Sequence, residues 1–503
     1  MNRIFRKRIA LRKRRLLSRL DRFRYPEDLS RPVIRGTVHG GIALIHQLAR
    51  RLNLAQEIDR RLTLFKVQLP YHELDHVLNL ANNTLCGGTC LEGLELRRQD
   101  EAYLNLLGAE RVPDPTTAGD FCRRFQASDL ESLQAAIDAA RLKAWKEQPR
   151  EFFDEATIEA DGSMVETRVE CKEGIDCSYK SVWGYHPLIV TLASTREVLR
   201  LVNRSGNRPS HEGAAQQLDH CIALCRQAGF RKIVLRGDTD FSQTEHLDRW
   251  HEQGDVRFVF GYDCTHSLHM LADELPWDAW KTLERPAKYR AKTKERCKPS
   301  RVKQAVVERR QFKDIRLVDE WVTETPYQPT ACRRAYRLVM VRKNLTVNEP
   351  GQGRLCDDYH YFFYITNDWT SNAAEIVYAA NHRCNQENDL AQLHDLRALH
   401  APVDNLISNN AYMLMAALGW NLKAWLALST PKPARDGPVR RQRREEKHTL
   451  LRMEFRTCVN YFILVPVQIV ISGRRLITRL MAWNVWQPTF FRLADHLGVS
   501  GGT

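Results

Sequence analysis

The stretch Ala156-Thr-Ile-Glu-Ala-Asp161-Gly162-Ser163 is where this sequence changes character. Upstream, apolar residues recur at helical spacing in 42–48, 76–85 and 130–145, with breaks such as Cys86-Gly87-Gly88 between them. From residue 156 short apolar runs take over, predicting strands at 156–161, 186–193 and 197–202. An amphipathic helix at 213–229 leads to a fourth strand, Lys232-Ile-Val-Leu-Arg236, which runs into Gly237-Asp238-Thr239-Asp240. A helix at 243–252 and a fifth strand at 256–260 follow. Three consecutive strands, then helix–strand–helix–strand, predict a mixed α/β sheet and not a dinucleotide-binding order.

Two of these strands end on an acid. Asp161 opens a Gly-Ser turn, and Asp238 closes Ile233-Val-Leu-Arg-Gly-Asp. A carboxylate there faces the crevice where α/β sheets place their ligands. A third acid, Glu387, lies in Asn381-His-Arg-Cys-Asn-Gln-Glu-Asn-Asp, inside one long helix expected over 372–396. Arg383, four residues earlier, shares its helical face. Two Asp and a Glu converging from two strands and a helix would make an all-oxygen pocket for two Mg²⁺ (or Mn²⁺) ions. Such a pair clamps a phosphodiester, activates the attacking oxygen and stabilises the leaving one. Singly, an Asp at a strand end is a turn residue and a Glu–Arg pair a surface contact. Their order among the strands raises the joint reading. Asp240 shares the loop with Asp238 and is its rival; Asp238 is preferred because it follows the strand directly.

On these residues the chain resembles bacterial insertion-sequence transposases of the DDE type, in the group-1 branch. The carrying stretches are Ile158-Glu-Ala-Asp161-Gly-Ser, Gly184-Tyr-His-Pro-Leu-Ile-Val, Leu235-Arg-Gly-Asp238-Thr-Asp-Phe and Arg383-Cys-Asn-Gln-Glu387-Asn. Leu78-Asn-Leu-Ala-Asn-Asn-Thr-Leu-Cys-Gly-Gly and Pro115-Thr-Thr-Ala-Gly-Asp-Phe are also similar to that family, so the likeness covers about 35–480. It implies a multidomain α+β chain: a ribonuclease-H-like mixed α/β core (151–262 and 361–400) with a β-rich basic insertion (263–360). A basic arm (1–36), a helical DNA-binding region (37–150) and a helical C-terminal region (401–503) would flank it. It further implies Asp161, Asp238 and Glu387 as the metal-binding catalytic triad, with Arg383 near DNA phosphate. The implied reaction is nicking at terminal inverted repeats, then attack of the freed 3′-hydroxyl on target DNA by a homodimer. Relatives often carry Tyr three residues before that Arg and Lys seven after the Glu. Here those positions hold Ala380 and His394, with Tyr378 displaced by two, so His394 takes the place of the DNA-contacting lysine. A tryptophan of the insertion such as Trp321 would stack on an extruded base, or else pack in the core.

Charge placement fits a polyanionic partner. The 503 residues carry a net +15, yet 1–24, 281–313 and 432–452 alone hold +10, +10 and +5, leaving the remainder at −10. Arg3, Arg6, Lys7, Arg8, Arg12, Lys13, Arg14 and Arg15 are the expected phosphate contacts of the arm. That arm lacks the apolar core of a signal peptide, and with a single Ser (Ser18) it is a poor mitochondrial presequence. The longest apolar run, 461–471, contains Pro466 and falls short of the ~20 residues of a membrane helix. The 13 cysteines show no CxxC spacing, and Cys86/Cys90 and Cys221/Cys225 at i,i+4 read as helix faces. A soluble, reduced protein of the bacterial cytoplasm, associated with the nucleoid, is expected. Three rival readings stand beside the transposase. One is a zinc peptidase built on His72-Glu73-Leu-Asp-His76, with Glu92 or Glu95 as third ligand. The others are a non-enzymatic DNA-binding regulator and a ribonuclease-H-like nuclease without strand transfer.

Overall fold

A computed structural model describes residues 35–66, 70–285, 302–310, 314–348, 359–431, 437–472 and 475–499. The first part is helical, with α1 (Glu73–Leu85), α2 (Pro115–Arg123) and α3 (Ala127–Lys146) joined by shorter helices. α2 starts at Asp114, which accepts a hydrogen bond from the Thr117 amide at 3.0 Å. Pro115 then occupies a first-turn position whose N–H would have no helical partner.

The sheet begins with β1 (Ala156–Gly162), β2 (Leu188–Leu192) and β3 (Glu197–Val202), followed by α4 (Ala214–Ala228), β4 (Ile233–Gly237) and β5 (Val256–Tyr262). β2 is antiparallel to both β1 and β3, whereas β4 is parallel to β1 and β5 parallel to β4. The spatial order β3-β2-β1-β4-β5 is ribonuclease-H-like. Side chains of β2 and most of β4 are buried on both faces, which is why these strands read as continuous apolar runs.

The sheet continues past β5. β6 (Asp314–Tyr327) and β7 (Tyr336–Asn348) form a long antiparallel hairpin, and β8 (Tyr359–Thr366) pairs with both β7 and β5. With the short strand Lys281–Thr282, nine described strands share one sheet. The β-rich stretch therefore widens the core sheet.

The helix expected over 372–396 is two helices, α5 (Ala373–Asn381) and α6 (Cys384–Asp395). In an unbroken helix the Ala379 carbonyl would accept from the Arg383 amide. Instead it accepts from Arg236 Nη1 at 2.7 Å, and the Arg383 amide turns to Ala380 at 3.2 Å.

α7 (Leu406–Leu428) is buried along nearly its whole length and packs against α1 and β3. Its Asn421 amide bonds both the N–H and the C=O of Val198, at 2.8 and 2.9 Å, closing the outer edge of β3. Glu197, fully buried beside it, accepts from Arg141 (3.1 Å), Trp145 (2.9 Å) and Trp425 (2.6 Å), so its charge is compensated. No described helix is long and apolar enough to cross a membrane.

The C-terminal region is mostly helical, yet Val467–Ser472 and Arg475–Leu480 form a hairpin that also pairs with Arg35–Thr37. The helix expected from sequence is absent from this segment. Pro466 blocks a helix from entering, and Val467-Gln-Ile-Val-Ile471 is β-branched and suits a strand.

Candidate active site

β1 and β4 are parallel neighbours inside the sheet, so their C-terminal ends bring Asp161 and Asp238 side by side at one end of the strands. α6 delivers Glu387 in its first turn, and Arg383 lies at its N-cap. One guanidinium gathers all three acids. Arg383 Nη1 is 3.2 Å from Asp161 Oδ2 and 3.5 Å from Asp238 Oδ2, while Nη2 is 2.8 Å from Glu387 Oε1.

The other aspartate oxygens are held by backbone. Asp161 Oδ1 accepts from the Gly162 amide at 2.8 Å, and Asp238 Oδ1 from the Asp240 amide at 3.1 Å. Burial pushes the Asp161 carboxyl up to about 7, against the pull of Arg383 and with further repulsion from Asp238. Asp238 is raised for the same first reason, and Arg383 opposes it there too. Asp240 is exposed, and Arg383 reaches Asp238 in its stead. This cluster needs positive charge.

A buried frame lies beneath it. Arg236 donates through Nε (2.9 Å) and Nη2 (2.6 Å) to Glu159 Oε1, and Gln386 Nε2 donates to the Glu159 carbonyl at 3.1 Å. β1, β4 and α6 are thereby fixed to one another one layer below the acids.

Sequence reasoning missed two neighbours. Ser163 Oγ lies 2.7 Å from His394 Nε2, two helical turns beyond Glu387; burial holds that imidazole's pKa below its usual value. His186 rests against Gly162 with its Nδ1 2.9 Å from the Arg208 carbonyl, and a Cβ at Gly162 would come within 2.8 Å of its ring. The signal for both was only their place in the Asp-Gly-Ser and Gly-Tyr-His-Pro stretches.

A family model, transposase DDE domain group 1, matches residues 35–498. The chain belongs to this DDE transposase family. Among solved structures, the cryo-EM piggyBac transposase synaptic complex with hairpin DNA matches at 10% identity and a TM-score of 0.33, over 84% of this chain and 83% of that one. No curated protein matches it.

In this transposase-family chain the HExxH residues do not form a zinc site. The Glu73 carboxylate is buried and accepts from the Leu64 and Phe65 amides, each at 2.9 Å. His76 stacks on Phe121 at 4.3 Å, and burial lowers it to about 4. Asp75 caps the helix by accepting from the His72 amide at 2.8 Å. The described cysteines are free thiols, and among the described residues no group of three or more His, Cys, Asp or Glu side chains stands close enough to hold a metal ion; Asp161, Asp238 and Glu387, with Arg383 between them, are no exception. Trp321 is committed to an aromatic box with Trp277, Trp280 and Tyr359 around the Arg342 guanidinium, and Trp277 is the exposed ring of that box. Arg3, Arg6, Lys7, Arg8, Arg12, Lys13, Arg14 and Arg15 lie outside the described residues.

Proposed function

We propose that the chain is a DNA transposase that binds the inverted repeats at its element's ends, nicks them and joins the 3′-hydroxyl ends to target DNA. The observation that carries this reading is the meeting of Asp161, Asp238 and Glu387 around one cation, Arg383. Three carboxylates offer hard oxygen donors of the kind Mg²⁺ or Mn²⁺ takes, and the guanidinium marks where positive charge sits among them. Two such ions, held by the three acids, would activate the attacking oxygen and stabilise the leaving one.

The remaining roles belong to the chain. Arg383 and His394 contact the DNA backbone beside the cut, with Ser163 fixing the imidazole. His186 walls the site at Gly162. Arg236 and Glu159 hold the two catalytic strands in register. The basic arm, the inserted segment and 432–452 neutralise phosphates of double-stranded DNA, and a homodimer pairs the two ends. The domain division expected from sequence is kept in this reading, except that strand Arg35–Thr37 crosses the end of the arm to join the hairpin at 467–480 and strand Tyr359–Thr366 crosses the end of the insertion.

The test uses DNA flanking the gene. Duplexes bearing its terminal inverted repeats are incubated with Mg²⁺ and wild type, Asp161→Asn, Asp238→Asn or Glu387→Gln. Nicking and joining by wild type alone is expected. Equal activity in all four would end the proposal, and nicking without joining would favour the nuclease reading.

A further inference from the structure

Arg383 takes the oxygens a metal would need. Backbone amides donate to Asp161 Oδ1 and Asp238 Oδ1, so the Oδ2 atoms are the aspartate oxygens that the backbone leaves open. Arg383 Nη1 lies against both, and Nη2 takes Glu387 Oε1. A guanidinium in contact with all three acids holds its positive charge in the space a divalent cation would have to enter, so the two compete for that space and repel each other.

We propose that Arg383 competes with the divalent metal for the three carboxylates and keeps the site in a metal-excluding form until a DNA phosphate draws the guanidinium away. This rests on the metal-dependent reading above and adds a coupling to it. The guanidinium is free to make the exchange: its side chain is 22% exposed, and it stands at the junction of two helices. Phosphate is the other partner that the guanidinium fork fits bidentately. Because one residue serves both equilibria, DNA and metal must raise each other's affinity by the same factor. The device would spare the element's host, because a protein off DNA would hold little metal for stray cleavage.

Mn²⁺ binding by isothermal titration calorimetry, on the full chain without DNA, tests the competition directly. Arg383→Gln is expected to bind Mn²⁺ roughly tenfold or more tightly than wild type, a gain of about 1.4 kcal/mol. Asp161→Asn/Arg383→Gln should lose that gain. Arg383→Lys keeps a charge but loses the fork, and should fall between wild type and Arg383→Gln; its thermal unfolding checks that the fold survives. Arg383→Gln binding no tighter than wild type, while Asp161→Asn still weakens Mn²⁺ binding, would overturn the competition and leave the metal site standing. Mn²⁺ binding unaffected by any of the three acids would instead overturn the metal-dependent reading itself.

Discussion

Arg236 on β4 donates to the carbonyl of Ala379 on α5 at 2.7 Å, and that bond sets where one helix stops and the next begins. The same guanidinium pairs with Glu159 on β1, and both side chains are less than one-tenth exposed. Removing only the cation strands a buried carboxylate. Arg236→Met is therefore expected to destabilise the fold by about 3–5 kcal/mol, and Glu159→Met/Arg236→Met to recover much of that loss. Urea unfolding of the three proteins measures it. An Arg236→Met protein as stable as wild type would contradict the account.

The two acids of the β4 loop should separate in function. Asp238→Asn is expected to lower nicking of end DNA by roughly a thousandfold, several kcal/mol of lost charge stabilisation. Asp240→Asn should stay close to wild type, since Asp240 is exposed and lends its backbone amide. Rates of supercoil nicking on one substrate decide between them.

Gly162 has no room for a side chain. Gly162→Ala would drive a methyl into the His186 ring, which is itself tied to Arg208, so Asp161 must shift. A loss of roughly tenfold or more in nicking is expected from such a displacement. Gly162→Ala/His186→Ala should restore part of it. If the double variant is no better than the single, steric pressure from His186 is not the cause.

Acid should weaken the helical region through His76. Its folded pKa, lowered by burial to about 4, lies below the ordinary value, so the unfolded chain takes up a proton that the folded one refuses. Stability from this group is intact above about pH 6.5 and falls as pH drops toward 4, by up to about 3 kcal/mol. His76→Phe preserves the stack on Phe121 and should flatten that dependence. Thermal unfolding midpoints at pH 7 and pH 4.5 report the difference.

Salt should expose the role of the arm. Replacing Arg3, Arg6, Lys7 and Arg8 with Ala is expected to weaken duplex binding across all sequences. The slope of log affinity against log salt should fall by about 0.9 for each DNA phosphate that the variant leaves unneutralised. An unchanged slope in fluorescence anisotropy would remove the arm from the DNA interface.

The core of this molecule was legible because buried strands announce themselves by composition. Ile158 to Asp161 and Ile233 to Asp238 read as apolar runs ending on acids, and both appear as parallel neighbours in the sheet. Glu387 was legible as a helical acid one turn from Arg383. The break between α5 and α6 was not, because it depends on Arg236, more than a hundred residues away in sequence. The HExxH pattern misled for a related reason: on sequence it is a ligand set, and in the fold the Glu73 and His76 side chains are spent on backbone amides and an aromatic stack.

Sequence by itself determined the order of the five core strands and the helices between them, the segregation of positive charge, and which acids stand at strand ends. Those follow from local chemistry: periodicity, chain-end residues and solvation act within a few residues of one another. Tertiary structure alone decided that Arg383 closes on three acids at once, that Gly162 lies under His186, and that the inserted hairpin widens the same sheet. Each of these joins side chains from distant segments, and no local pattern encodes the distance between them.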